Sequence, residues 1–241
     1  GAGDDLRGID WKAYGRTDRF VVKEFEAETN LRAAILLDAS SSMVWKGRGL
    51  LTKYEYGISL AAGLAQLLLH RGDAVGAARF DTAPTDILLP SAHPAHLHAL
   101  LQRLAEEPAG RGRRTDIVGS IEALAQRLGR LDLVVVISDL LDDPDEVVTG
   151  LARLGSRGAR VVALQTLDPI EAKGELPQGD AYEDSETGAV IGATGIDAAE
   201  YRRRVDHFIG AITAGCRRHR ITHLVVTTDT PFDHPLRPIV G

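Results

Sequence analysis

The chain has 241 residues, 44% of them hydrophobic and 26% charged, with a formal net charge of −6. This is enough for one sizeable α/β domain with a full core, and the acidic balance argues against a nucleic-acid binder, which usually carries a basic surplus. The single cysteine, Cys216, excludes an internal disulfide and reads as a buried helix thiol in a reducing compartment, so the expected location is cytoplasmic. The longest apolar run, Ile58 to Leu69, is too short to span a bilayer, and no signal peptide is visible. The sequence opens without Met at Gly1-Ala2-Gly3-Asp4, which reads as a fragment and leaves open a membrane anchor outside it.

Residues 1–31 are polar, with apolar clusters at Ile9-Asp10-Trp11 and Phe20-Val21-Val22, and read as an amino-terminal arm with a strand over Arg19 to Glu26. Leu31 to Leu37 is nearly continuously apolar, as expected of a strand buried on both faces. It stops at the small polar cluster Asp38-Ala39-Ser40-Ser41-Ser42. Tyr54 to His70, rich in Ala and Leu, predicts a long helix ended by Gly72-Asp73. Ala74 to Phe80 and Thr85 to Leu89 flank a turn at Asp81-Thr82-Ala83-Pro84, the spacing of an antiparallel hairpin. Pro94 to Ala105 reads as a helix with proline in a favoured first-turn position. After a loop rich in Gly and Arg (residues 110–114), Asp116 caps a predicted helix over Ile117 to Leu128.

Leu131 to Ser138 is the clearest buried strand and runs into Asp139 and the acidic loop Asp142-Asp143-Pro144-Asp145. A helix from about Asp145 to Leu154 and a strand from Arg160 to Leu167 follow. Residues 168–195 are turn-rich and read as an irregular insertion with a small hairpin (Asp180–Glu183 and Ala189–Ile191). Asp197 to His219 is an amphipathic helix, Thr222 to Thr227 a last strand, and residues 231–241 a tail. Apolar strands alternating with helices predict an α/β fold: a doubly wound, mostly parallel, Rossmann-like sheet with one antiparallel edge strand, spanning residues 32–230. Such folds bind ligands beyond the carboxyl ends of their strands, where the strand order reverses.

Three loops at such ends hold hard oxygen donors: Asp38, Ser40 and Ser42 in the first, Thr115 in the second, with Thr85 and Ser120 as alternatives, and Asp139 in the third. Hard oxygens suit a divalent cation, Mg²⁺ foremost with Mn²⁺ or Ca²⁺ as alternatives, and no soft ligand favours zinc. Alternate residues of an extended segment point the same way, so Asp38, Ser40 and Ser42 can converge. Two carboxylates, Asp38 and Asp139, balance a dication, and hydroxyls leave it Lewis-acidic. An open coordination position would then favour an anionic oxygen such as an Asp or Glu side chain of another protein.

These three loops resemble the metal-ion-dependent adhesion site of von Willebrand factor type A domains. More specifically, the chain resembles the bacterial family called domain of unknown function 58. That likeness rests on Gly3-Asp4-Asp5-Leu6-Arg7-Gly8-Ile9-Asp10-Trp11-Lys12-Ala13, Arg16 and Val22-Lys23-Glu24-Phe25-Glu26 ahead of the Asp38 loop. It continues through Lys53, Gly72-Asp73-Ala74-Val75-Gly76, Asp168-Pro169-Ile170-Glu171 and Asp184-Ser185-Glu186-Thr187-Gly188. The resemblance implies a von Willebrand type A domain acting as an adaptor or chaperone-like partner of a MoxR-type AAA+ ATPase.

Other features have plainer readings. His93, His96 and His98 lack a shared helix face and read as surface residues. Arg111, Arg113 and Arg114 read as a solvated loop, Trp11 as a packing anchor, and Asp142, Asp143 and Asp145 as an acidic helix start. The chain has no Gly-x-x-x-x-Gly-Lys-Ser/Thr loop and no Gly-x-Ser-x-Gly. The expectation is a binding module and not an enzyme. The alternative is a metal-dependent phosphatase or phosphotransferase, weakened by Ser40 standing where an aspartyl nucleophile usually wants a second Asp.

Overall fold

A computed structural model describes residues 31–81, 83–106, 108, 119–120, 123–124, 127–175, 181–183, 190–192 and 197–240. Residues 1–30 of the amino-terminal arm, the arginine loop, Thr115 and Asp116 lie outside the described residues.

The main sheet contains β1 (Arg32–Asp38), β2 (Ala74–Phe80), β3 (Pro84–Ser91), β4 (Leu133–Ser138), β5 (Arg160–Leu167) and β8 (Thr222–Thr227). Its order is β3-β2-β1-β4-β5-β8, and every neighbouring pair is parallel except the edge pair β2–β3. A separate two-stranded hairpin pairs β6 (Ala181–Glu183) with β7 (Val190–Gly192). This is the doubly wound sheet with one antiparallel edge that the sequence predicts. The helices are α1 (Lys53–His70), α2 (His96–Leu104), α3 (Pro144–Gly155), the single turn α4 (Pro169–Ala172), α5 (Ala198–Arg218) and α6 (Asp233–Val240). In the helix expected over Ile117 to Leu128, the described residues from 119 to 127 are helical.

Strand alternation sorts the core into two layers. Ala33, Ile35 and Leu37 of β1, with Val135 and Ile137 of β4, pack under Leu60, Leu64 and Leu68 of α1 and Leu100 and Leu104 of α2. Ala34 and Leu36, with Val134 and Val136, pack on the other side under Leu124, Val147 and Leu151, and Ile212 and Cys216 of α5. Burial on both faces is why these strands read as unbroken apolar runs. Local signals fix the ends of α1. Thr52 and Glu55 form a reciprocal capping box at its start, and Gly72, at φ 84°, turns the chain out after its last residues.

The segment read as a tail differs from expectation. It contains α6, whose Leu236 and Ile239 are buried in the first core layer with residues of α1. The Arg160 guanidinium donates hydrogen bonds to the carbonyls of Pro238 and Ile239 and so ties the end of α6 to β5.

Candidate metal centre

From β1 the chain crosses to β2 on one side, and β4 joins β1 on the other. The strand order therefore reverses between β1 and β4, and a crevice opens beyond their carboxyl ends. Asp38 closes β1, Ser138 closes β4 and Asp139 follows it directly, so the topology alone brings these residues together.

The first loop is not extended throughout, as alternation of its side chains requires: Ser41–Val44 form a short 3-10 helix, and it is this turn that carries Ser42 back beside Ser40. The Ser40 amide donates to Asp38 Oδ1 at 2.8 Å, and the Ser40 and Ser42 hydroxyls lie 3.0 Å apart. All three residues are buried. From β4, the Ser138 hydroxyl donates to Asp38 Oδ2 and accepts from the Leu140 amide at 2.9 Å. Leu140 has φ 54°, a left-handed conformation rare for such a side chain. Full burial of Leu140 and its bond to Ser138 hold this turn, and Gln165 steadies it further by donating to the Asp139 carbonyl at 3.0 Å. Burial pushes the Asp38 carboxyl up to about 7, and the nearby Asp139 charge adds to that, against the lowering pull of the Ser138 and Ser40 hydrogen bonds.

Two further residues complete the cluster, and no local pattern in the sequence assigns them to it. Lys53, 1% exposed, sends its ammonium 2.8 Å from Asp139 Oδ2 and 2.8 Å from Glu171 Oε1. Glu171 belongs to α4, where it and Asp168 form a capping box. The Asp168 carboxylate also accepts hydrogen bonds from the amides of Gly47, Arg48 and Gly49 at 2.9–3.1 Å. It thereby pins the loop between the first site residues and α1. Glycine is required there for close approach: a Cβ on Gly49 would sit 2.0 Å from Thr228 Oγ1. The only trace of these roles in the sequence is Lys53 and the Asp168-Pro169-Ile170-Glu171 run within the family resemblance.

Of the remaining candidates, Thr115 lies outside the described residues. Its alternative Ser120 is buried and donates to the Asp81 carbonyl at 3.0 Å, while Thr85 lies on edge strand β3. Asp143 caps α3 by accepting from the amides of Asp145 and Glu146, the ordinary helix-start role.

The donor set fits a hard divalent cation. It consists of carboxylate and hydroxyl oxygens, and Asp38 has no ion-pair partner among the described residues. Counted as ionised, the carboxylates of Asp38, Asp139 and Glu171 against the Lys53 ammonium leave a formal charge of −2, which one divalent ion neutralises. Buried charge of that size otherwise demands protonation. The donors are chiefly hydroxyls: no group of three or more His, Cys, Asp or Glu with metal-holding geometry occurs among the described residues.

Residues 1–209 match the family described as Protein of unknown function DUF58. The chain belongs to the DUF58 family. Uncharacterized proteins of Mycobacterium tuberculosis and Mycobacterium bovis are 30% identical to it over 191 residues, which is 78% of this chain and 59% of each relative. The chain thus spans about three-fifths of the length of these relatives.

Among solved structures, the conserved hypothetical protein BatB from Bacteroides thetaiotaomicron superposes with a TM-score of 0.61 at 19% identity, covering 87% of this chain and 95% of that one. An aerotolerance-related membrane protein from Bacteroides fragilis gives 0.59 at 18%, covering 87% and 96%. The SpRpn10 VWA domain gives 0.51 at 12%, covering 88% and 97%. This DUF58 chain therefore has the von Willebrand type A fold. No helix among its described residues is long and apolar enough to cross a membrane.

Proposed function

We propose that this DUF58 chain is a metal-dependent protein-interaction module. It would hold a divalent cation, Mg²⁺ foremost, through Asp38, Ser40 and Ser42, with Asp139 balancing charge and Thr115 as the second-loop ligand. The ion would offer an open position to an Asp or Glu side chain of a partner. The single observation that carries the reading is the buried, uncompensated Asp38 set against two converging hydroxyls at the point where the strand order reverses. By family resemblance the partner is a MoxR-type AAA+ ATPase or its client, and the chain works in the cytoplasm. The membrane protein among its fold neighbours makes a membrane-proximal partner worth seeking.

Binding is preferred to turnover because Ser40 bonds Ser42, and Lys53 is engaged by two carboxylates of this chain. A phosphotransfer site would need that ammonium for substrate. The test is affinity capture with wild type and Asp38→Ala, in Mg²⁺ and in chelator. Capture that depends on both Mg²⁺ and Asp38 is expected, and equal capture in all four arms overturns the reading. Phosphoester turnover abolished by Asp38→Asn would favour the enzyme instead.

A further inference from the structure

Lys53 is placed against two general preferences. It is the first residue of α1, at the positive end of the helix dipole, where a cation is disfavoured. It is also fully buried, which lysine tolerates only when paired. Joining α1 to the strand ends needs no charge, since a buried ion pair is often no more stabilising than apolar residues of similar volume. What its ammonium does is hold two carboxylates, Asp139 and Glu171, each 2.8 Å away. Those oxygens therefore lie at most twice that distance apart, and Asp139 is the carboxylate whose charge acts on Asp38.

We propose that Lys53 sets the strength and selectivity of the metal centre by keeping Asp139 and Glu171 ion-paired, so that neither is a free anionic ligand. The inference rests on the metal-binding reading. With Lys53 present, the cluster carries −2 and the donors nearest Asp38 are hydroxyls. Without its charge the cluster carries −3, and Asp139, whose charge already acts on Asp38, is freed toward the cation. Affinity would rise, preference would move toward Ca²⁺, which takes more carboxylate oxygens than Mg²⁺, and the position meant for a partner's acid would be filled from within the chain. Glu171 acts in the opposite direction: neutralising it leaves −1 and an ammonium with less compensation.

The test is calorimetric titration of Mn²⁺, Mg²⁺ and Ca²⁺ into the whole chain for wild type, Lys53→Met, Glu171→Gln and the double variant. The Trp45 ring, centred 5.8 Å from the Lys53 ammonium, gives an independent fluorescence signal. Lys53→Met should bind Mn²⁺ at least about tenfold tighter and gain in Ca²⁺ over Mg²⁺, while Glu171→Gln should bind about threefold weaker. The double variant should return toward wild type. A merely structural tie would weaken binding in both single variants or change neither, and either result overturns the proposal. If Lys53→Met does not fold, unchanged or tighter binding by Glu171→Gln overturns it alone. Should wild type bind none of the three ions, the metal reading falls and this inference with it. Binding by wild type with shifts of equal sign rejects the inference only.

Discussion

Asp38 meets two demands that conflict at neutral pH. Burial and Asp139 raise its carboxyl from an ordinary 3.8 to about 7, so the metal-free native state holds a proton that the unfolded chain releases. Stability contributed by that proton is fully present below the unfolded value and is lost as pH rises through the folded one. Urea unfolding in chelator should therefore show stability falling between about pH 4 and pH 7, and Asp38→Asn should flatten that slope. Divalent binding must displace the same proton, so its apparent affinity should climb over that range and level above about pH 7, a trend that calorimetry across pH would show. Asp38 was legible as a candidate because Ser40 and Ser42 follow it at the end of an apolar strand, although the chain turns into a short 3-10 helix at Ser41–Val44 and does not stay extended. Glu171 was not, because it meets Lys53 across 118 residues and only the assembled sheet brings them together.

Among the elements, the loop over residues 46–51 depends on one carboxylate. Burial works against the charge of Asp168, yet the amides of Ile170, Gly49, Arg48 and Gly47 hold it below the usual carboxylate range. Asp168→Ala orphans several of those donors at roughly 1–3 kcal/mol each. A drop in melting temperature and new protease cleavage near Arg48 are expected, and a loop as resistant as wild type would contradict this. The helix α6 makes a second case. Leu236→Ala should cost about 2–5 kcal/mol in chemical unfolding, because the side chain is buried against α1. The helix α1 announced itself by a long stretch rich in Ala and Leu, and β4 by an unbroken apolar run up to Ser138. Asp233–Val240 did not, since Pro235 and Pro238 within eight residues read as a coil and its two apolar anchors gain meaning only against α1.

For the whole molecule, a cation gripped at the ends of β1 and β4 would be part of the native state alone. Mg²⁺ at 100 times its dissociation constant should then add about 2.7 kcal/mol of stability, read as a rise in melting temperature that Asp38→Ala abolishes. The order of the sheet was legible only as a class: alternating strands and helices announce a parallel sheet, while which strands flank the reversal is set by long-range pairing. Cys216 turns these global questions into a kinetic measurement. It is the chain's sole thiol, sealed under α5 with its acidity suppressed to about 11 by burial. A chromogenic disulfide reagent can strike it only during moments when α5 parts from the sheet. Its rate of modification in native buffer is thus a stopwatch on breathing of that layer. If Mg²⁺ slows the stopwatch, the layer parts together with the β1–β4 crevice; if the rate holds steady, α5 lifts on its own.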